Sequence, residues 1–297
     1  MKFQIIDAFT DTLFGGNPAG VVIIPENMEF PDDETMRKTA AELRYSETAF
    51  IKQVGNKEFQ VRYFTPAAEI KLCGHATIGS SYALMQIGMA KAGDMIRYNT
   101  MSGSLNIFLG RNRILMDMPS PHDFGEVRGD EAIRELYHIM GISSDGQGIY
   151  KTDPSINLVP KIISAGLADI IMPLKNETEL ARISPDFYAL SELSKRYNVV
   201  GVHAFTVNTE DSLIHARNFA PLYGINEEAA TGTSNGALSY YLYEYGILRI
   251  NDFNTIVQGE KMNRPSRIST QILIDGNTTN VKVGGFAITL AEGEIYI

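Results

Sequence analysis

The second half of this chain repeats the residue pattern of the first half, and this repeat limits the possible folds more than any other feature. An Arg-x-Phe-x-Pro pattern, an Ala-Phe pair and a segment that opens and closes with glycine each occur twice. The matched segments are 62–66 with 217–221, 49–50 with 204–205, and 74–88 with 232–246. The first two pairs are both 155 residues apart, which indicates one unit duplicated and fused. Two such halves facing each other would enclose a cleft, and ligands bind preferentially in clefts between domains.

Charge, hydropathy and cysteine content exclude several classes of protein. The net charge of −9 argues against a nucleic-acid partner, because no basic stripe could neutralise phosphates. No apolar run approaches the roughly 18 residues of a membrane span, so we expect no membrane partner. Asp7 and Asp11 are unlike the start of a secretory leader. Cys73 is the only cysteine, which excludes an internal disulfide and favours a cytoplasmic protein.

The distribution of strands and helices predicts an α+β fold. Segments 74–88 and 232–246 are small-residue-rich and then apolar, and a helix without a polar face is a buried helix. The short connections between the surrounding strands favour antiparallel pairing. At 297 residues two domains are expected. We place the N-terminal lobe at 1–118 plus 286–297 and the C-terminal lobe at 119–285, each with strands wrapped around one buried helix.

Local signals predict two further helices and a set of strands. Residues 32–44 follow Pro31 and begin with three acidic residues that complement a helix dipole. Residues 185–197 begin with proline and form the second helix. The predicted strands are 3–9, 20–25, 47–54, 59–64, 163–174 and 199–207.

Nine short segments, in order along nearly the whole chain, resemble one family. They are Asp-Ala-Phe-Thr at 7–10, Gly-Asn-Pro-Ala-Gly at 16–20, Ser-Glu-Thr-Ala-Phe at 46–50, Cys-Gly-His-Ala-Thr at 73–77, Arg-Asn-Phe-Ala-Pro at 217–221, Ala-Thr-Gly-Thr at 230–233, Gln-Gly at 258–259, Arg-Pro-Ser at 264–266 and Val-Gly-Gly at 283–285. The chain resembles the PhzF-type phenazine-biosynthesis isomerases and, more distantly, the diaminopimelate epimerases. The resemblance implies two pseudo-symmetric lobes, each a curved sheet around a helix, with the site between them. It also implies a homodimer and no metal or organic cofactor.

Glu47 is the first candidate catalytic residue. It stands just before an apolar strand, where partial burial is expected to raise its pKa from about 4.3 towards the 6–7 that suits an acid–base group. The alternative is an exposed glutamate at a strand start. The repeat aligns Val202 with Glu47, so the acid occurs in one half only. The resemblance implies that Glu47 is the acid–base residue.

The starts of the two buried helices are candidate substrate-binding sites. His75 lies in the first turn of one helix, and Gly74 in that turn corresponds to Gly232, with Thr233 next to it, in the other. Free backbone N–H groups at a helix start bind anions, so a substrate carboxylate could be held there. His75 is also a candidate catalytic residue, which would add a hydrogen bond or share a proton. The alternative for His75 is a purely structural hydrogen bond.

Glu228 is the remaining catalytic candidate. The family usually has aspartate at this position, proline where this chain has Ala229, and serine where it has Thr233. The resemblance therefore implies that Glu228 helps to hold or protonate the substrate, and the longer carboxylate and the lost proline concern substrate identity more than chemistry. The alternative role for Glu228 is complementation of the helix dipole.

The sequence lacks the residues that other reaction types require. Related epimerases use two facing cysteines, but the position equivalent to Cys73 is Thr231, so we interpret Cys73 as a small core side chain. No His-Glu-x-x-His motif or Cys/His cluster predicts a metal, and no Gly-x-x-x-x-Gly-Lys loop predicts a nucleotide. The sequence predicts a cofactor-free isomerase that moves a proton on a small anionic substrate. The alternatives are a non-catalytic anion-binding protein on the same fold and, less favoured, a racemase or epimerase.

Overall fold

The computed structural model describes residues 1–143 and 153–297. Its α-helices are α1 (Asp33–Leu43), α2 (Gly74–Gln86), α3 (Asp130–Ile139), α4 (Glu177–Arg182), α5 (Phe187–Tyr197) and α6 (Gly232–Glu244). Its strands are β1 (Lys2–Ala8), β2 (Asn17–Ile24), β3 (Glu47–Gly55), β4 (Glu58–Phe64), β5 (Glu69–Ile70), β6 (Met95–Thr100), β7 (Gly103–Leu109), β8 (Ile114–Asp117), β9 (His122–Glu126), β10 (Lys161–Ser164), β11 (Ala168–Pro173), β12 (Val202–Thr206), β13 (Ile214–Ala220), β14 (Ile225–Glu228), β15 (Phe253–Gln258), β16 (Ser266–Asp275), β17 (Thr278–Gly285) and β18 (Ala287–Glu294). Among the described residues, none of the helices combines the length and the apolar run that crossing a membrane requires.

The chain divides into two compact units. The first unit comprises Met1–Asp117 and the C-terminal segment Gly284–Ile297, and the second comprises Met118–Val283. The C-terminal segment belongs to the first unit because β18 pairs antiparallel with β1 along their whole length.

The first unit is a curved sheet around α2. Its strands lie in the order β18, β1, β2, β3, β4, β6, β7, β8, with β5 as a short extra strand on β4. The pairs β2–β3 and β4–β6 are parallel and the others are antiparallel. Helix α2 packs against β1, β2 and β3 and also against β18 and β8, the two ends of this order. A sheet whose two ends contact the same helix must curl around it.

The second unit repeats this topology. Its strands lie in the order β9, β10, β11, β12, β13, β15, β16, with β14 on β13. The parallel pairs β11–β12 and β13–β15 correspond to β2–β3 and β4–β6. Helix α6 packs against β10, β11 and β16. The predicted α+β class, with two topologically equivalent, mainly antiparallel lobes around central helices, is confirmed.

The composition of α2 and α6 explains why both helices are buried. Nine residues of each helix are buried, and neither helix contains an aspartate, glutamate, lysine or arginine before its last turn. Gly79 of α2 lets Ile6 and Ala19 approach to 3.6 and 3.7 Å from where a Cβ would lie. Gly236 of α6 leaves still less room, since Ala165 lies 3.2 Å from that point. Small residues therefore bring each helix against the inner face of its sheet.

The amphipathic helices form outer layers. Helix α1 begins after Asp32, whose carboxylate accepts from the backbone N–H of Thr35, and α5 begins after Asp186; both helices lie close to their predicted bounds. Helix α3 was not predicted. It starts after Gly129, which has φ 90° and no capping side chain, so no N-cap signal marks its start. Its residues Leu136 and Tyr137 complete a second hydrophobic core with α5 on the outer face of the second sheet.

Candidate active site

Glu47 is the first residue of β3 and is buried beside the N-terminal turn of α2. It lies next to Ala19 in the parallel β2–β3 ladder. Oε2 of Glu47 lies 3.0 Å from Nε2 of His75, and these side chains are 9% and 3% exposed. Sγ of Cys73, the residue before α2, lies 3.5 Å from Nδ1 and 3.8 Å from Nε2 of His75. The structure thus brings together two predicted site residues and adds Cys73 to them.

His75 is also held by polar groups of β2 and of the loop before β3. Nδ2 of Asn17 lies 3.1 Å from Nδ1 of His75, and Oγ of Ser46 lies 3.4 Å from Nε2. Nδ1 of the ring therefore faces the Asn17 side-chain amide, and Nε2 faces Glu47. The Gly-Asn-Pro-Ala-Gly segment had no predicted role, and its contact with His75 supplies one.

The charges of Glu47 and His75 stabilise each other against burial. Burial raises the pKa of Glu47, but the charge of His75 and hydrogen bonds lower it, and the net pKa lies below the ordinary 4.5. Burial lowers the pKa of His75, but Cys73 and Glu47 raise it to well above 6.5. The prediction of a raised Glu47 pKa was wrong in direction, because the sequence did not show the contact with His75. At neutral pH the pair holds a carboxylate and an imidazolium.

Cys73 is a neutral neighbour of this pair. Burial raises the pKa of its thiol above the ordinary 9.0, although the nearby imidazole of His75 acts in the opposite direction. A neutral thiol cannot charge His75, so Glu47 is the partner that keeps the imidazolium. The second unit has Thr231 at the position before its helix, as the sequence predicted.

Both central helices begin without a side-chain cap. Cys73 and Thr231 precede the helices in extended conformations, with φ −141° and −128°, and within the described residues neither side chain caps its helix. The first backbone N–H groups of a helix lack intrahelical acceptors, so these starts are suited to an anion. Gly74 is the first residue of α2, and Gly232 and Thr233 are the first two of α6. The two helices belong to different units, and convergence of their starts on one ligand stays a prediction.

Glu228 is tied to the start of α6 through Gln258. Oε2 of Glu228 accepts from Oγ1 of Thr231 at 3.1 Å, and its backbone carbonyl accepts from Nε2 of Gln258 at 2.7 Å. Oε1 of Gln258 accepts from Nδ2 of Asn235 at 2.7 Å and from the backbone N–H of Thr231 at 3.3 Å. Gln258 is fully buried and so fixes β14 to α6. The Gln-Gly segment was the only sequence signal for it.

The second unit has a valine, Val202, at the position equivalent to Glu47. Val202 is the first residue of β12 and lies next to Ile170 in the parallel β11–β12 ladder, as Glu47 lies next to Ala19. Its side chain is fully buried. The equivalence rests on topology and ladder position, independent of the sequence repeat.

A buried polar network in the second unit was missed by the sequence reasoning. His203 contacts Oδ1 of Asn235 through Nε2 at 3.2 Å and Nδ2 of Asn218 through Nδ1 at 3.3 Å. Asn218 donates to Oγ of Ser234, which donates to Oδ2 of Asp169. Burial lowers the pKa of His203 to about 4 and raises the pKa of Asp169 to about 6. The available signal was a polar residue inside an apolar strand segment, at both 169 and 203.

The remaining histidines lie apart from Glu47. His122 and His138 are exposed. His215 is largely buried, with Nδ1 2.8 Å from Oε2 of Glu260 and Nε2 3.2 Å from Oδ1 of Asp211. It lines a cavity of about 310 Å³ in the second unit. No role was predicted for this cluster.

Comparison with known proteins places the chain in a family. The family profile described as phenazine biosynthesis-like protein, PhzC-PhzF, matches residues 6–293. The chain belongs to this family. The profile covers the site residues of both units, so the resemblance predicted from nine short segments is confirmed.

Full-length relatives support the same assignment. An uncharacterized isomerase from Clostridium acetobutylicum is 33% identical over 306 residues, covering 98% of this chain and 97% of the relative. The uncharacterized isomerase YfhB from Bacillus subtilis is 32% identical over 289 residues, covering 95% and 94%. The crystal structure of the Bacillus anthracis PhzF-family phenazine biosynthesis protein matches with a TM-score of 0.87 and 26% identity, covering 100% and 99%. The PhzF-family chain described here is therefore an isomerase.

Proposed function

We propose that this PhzF-family protein is a cofactor-independent isomerase that moves a proton between two carbons of a small carboxylate-bearing substrate, with Glu47 as the acid–base residue. The observation that carries the proposal is the buried ion pair of Glu47 and His75, 3.0 Å apart, in one unit only. A base must be ionised before it accepts a proton, and this pair keeps the Glu47 carboxylate ionised despite its burial.

The proposed reaction begins with Glu47 taking a proton from a substrate carbon. The C–H bond breaks, its electron pair delocalises into the substrate, and Glu47 becomes a neutral acid. Glu47 then returns the proton to a second carbon on the same face. The imidazolium of His75 and the backbone N–H groups at the helix starts stabilise the negative charge that develops on the substrate.

A one-sided acid favours this proton shift over racemisation. Racemisation generally needs acid–base groups on opposite faces of the substrate. In the second unit Val202 replaces Glu47, and Thr231 replaces Cys73. A two-thiol or two-carboxylate racemase is disfavoured by these residues.

Substrate binding is assigned to the two helix starts. Gly74 at one start, with Gly232 and Thr233 at the other, would hold the substrate carboxylate through backbone N–H groups. Glu228 would orient the substrate, because its carboxylate is directed by Thr231 and its backbone by Gln258. On family resemblance we also expect a cytoplasmic homodimer. Sedimentation of a 32.8 kDa species at micromolar concentration would contradict the dimer.

Solvent deuterium exchange tests the proposed function. The protein is incubated in D₂O with a panel of cyclic and amino carboxylates, and deuterium at carbon is followed by NMR and mass spectrometry. We expect incorporation with the native protein, no incorporation with Glu47→Gln, and incorporation with Cys73→Ala. Carboxylate binding without exchange by the native protein would instead establish the non-catalytic anion-binding alternative.

A further inference from the structure

Glu47, Cys73 and His75 present three potential metal ligands at one point. Their carboxylate oxygen, thiol sulfur and imidazole nitrogen all lie within 4.8 Å of one another, and all three residues are buried. Sγ lies 3.8 Å and Oε2 lies 3.0 Å from Nε2 of His75. Ligands at zinc bond lengths in a tetrahedral site are about 3.4–3.6 Å apart. These two separations are within a few tenths of an ångström of the values that a zinc site requires.

The Glu47 carboxylate faces the other two groups. The residue is 7% exposed, and within the described residues Oε2 accepts no well-aligned hydrogen bond, although His75 lies close to it. A buried polar atom without such a bond carries a desolvation cost. A metal cation that replaced the Nε2 proton of His75 would contact Oε2 directly, because these two atoms are 3.0 Å apart.

Asn17 provides the support that a metal-binding histidine usually has. Such a histidine binds the metal through one ring nitrogen and donates the other N–H to an oxygen. The Asn17 side-chain amide lies 3.1 Å from Nδ1 of His75. Rotation of this amide by 180° presents its oxygen, because the two amide atoms occupy nearly equivalent positions. Nε2 is then free of its proton and faces Glu47 and Cys73.

We propose that Glu47, Cys73 and His75 bind one zinc-type divalent cation, and that the bound cation inhibits the isomerase. Thiolate and imidazole ligands favour zinc over magnesium or calcium. The bound cation would occupy Oε2 of Glu47 and Nε2 of His75, so Glu47 could not take a proton. The inhibition rests on the proposed function of Glu47, whereas cation binding does not.

Direct binding measurements test the site without a substrate. Metal-free protein is titrated with Zn²⁺ in competition with a chromophoric chelator, and with Co²⁺ to observe a thiolate-to-cobalt charge-transfer band. We expect one tightly bound Zn²⁺ per chain and a charge-transfer band. Cys73→Ala should lose the band and bind Zn²⁺ at least about 10–100-fold more weakly, since loss of even an outer-shell partner has that effect. Cys73→Ser serves the same purpose if Cys73→Ala does not fold.

The His215 cluster supplies the matched control. Glu177, Asp211 and His215 also place three ligand atoms within 4.8 Å of one another, but without a thiol. Asp211→Asn should leave the tight Zn²⁺ affinity and the cobalt band unchanged. Loss of tight binding in Asp211→Asn together with its retention in Cys73→Ala would overturn the site.

Activity measurements then separate this inference from the proposed function. Zn²⁺ should abolish deuterium exchange by the native protein, and a chelator should restore it. In Cys73→Ala, the Zn²⁺ concentration that halves exchange should rise by the same factor as the binding constant. Tight Zn²⁺ binding with unchanged or increased exchange would overturn the inhibition. Absence of exchange with every carboxylate would count against the proposed function, and the binding titration would still decide the metal site.

Discussion

The two units share a scaffold and differ at the start of the central helix. In each unit an arginine, on β4 or on β13, forms a bidentate pair with a carboxylate. Its guanidinium group lies 5.0–5.2 Å from the centre of the ring of a phenylalanine two residues later. These groups are Arg62 with Glu69 and Phe64, and Arg217 with Glu227 and Phe219. The repeated Arg-x-Phe-x-Pro pattern therefore preserves a structural contact, which explains why it persisted in both copies.

The polar residues near the helix starts have diverged. The first unit has the buried ion pair of Glu47 and His75 at the start of α2. The second unit has Val202 in place of the acid, and its buried histidine, His203, sits in a hydrogen-bonded network with Asn218 and Asn235. The same backbone thus supports a charged histidine in one copy and a neutral histidine in the other. Under the proposed function, the acid–base group belongs to the first unit alone.

The largest effect is expected from Glu47→Gln. Glutamine keeps the size of the side chain but cannot exchange a proton, so turnover should fall by about 10²–10⁴-fold while ligand binding persists. Glu228→Gln provides the comparison from the second unit and should raise KM more than it lowers kcat. Steady-state deuterium exchange measures both. Equal turnover in Glu47→Gln and native protein would contradict the assignment of the acid–base group to the first unit.

Removal of the repeated arginines, Arg62 and Arg217, should destabilise the two units unequally. The Arg217 side chain is 10% exposed and also donates to the carbonyls of Leu180 and Ile183, whereas the Arg62 side chain is 22% exposed. Arg217→Met should lower the free energy of unfolding by about 3 kcal/mol, the low end for a buried pair, because it leaves the Glu227 side chain, which is 16% exposed, without its partner. Arg62→Met should have a smaller effect. Urea denaturation of both variants tests the order, and a reversed order contradicts the argument from burial.

His203 should make the protein acid-sensitive. Its folded-state pKa of about 4 lies below the ordinary 6.5, so its stabilising contribution is present above pH 6.5 and is lost as the pH falls towards 4. Across this window, native protein should lose up to about 3 kcal/mol relative to His203→Gln. Unfolding free energies at several pH values measure the difference. His138→Gln, at an exposed position, is the control, and parallel pH profiles for His203→Gln and native protein would refute the prediction.

Asp169 should have the opposite pH dependence and a somewhat smaller effect. Burial raises its pKa from 3.8 to about 6, so its contribution is present below pH 3.8 and is lost as the pH rises through 6. Asp169→Asn removes this ionisation and should gain up to about 3 kcal/mol relative to native protein across that window. The same denaturation series tests it. A relative loss for Asp169→Asn with rising pH would show that Asp169 is ionised in the folded protein at low pH.

The accuracy of the sequence predictions depended on how local each signal was. Helix α1 has its capping residue, Asp32, and its acidic first turn within a few positions, so its bounds followed from the sequence. Helix α3 starts after an uncapped glycine, and its contacts are tertiary: its apolar residues pack in the second core, and Tyr137 donates to the carbonyl of Pro173. The candidate site shows the same dependence. Glu47 and His75 were predicted as site residues from short segments, whereas no role was predicted for Gln258 or His203.

The sequence by itself determined the duplication, the two buried central helices and the restriction of the acid to the first half. These features follow from residue identity and spacing, which are properties of the chain alone. The tertiary structure decided that Glu47 is ionised and that Cys73 lies beside His75. Burial alone would have raised the Glu47 pKa, but His75, 28 residues away in the sequence, lies 3.0 Å from it in the fold. Electrostatic energy depends on that distance and on the surrounding dielectric, and only the folded chain sets both.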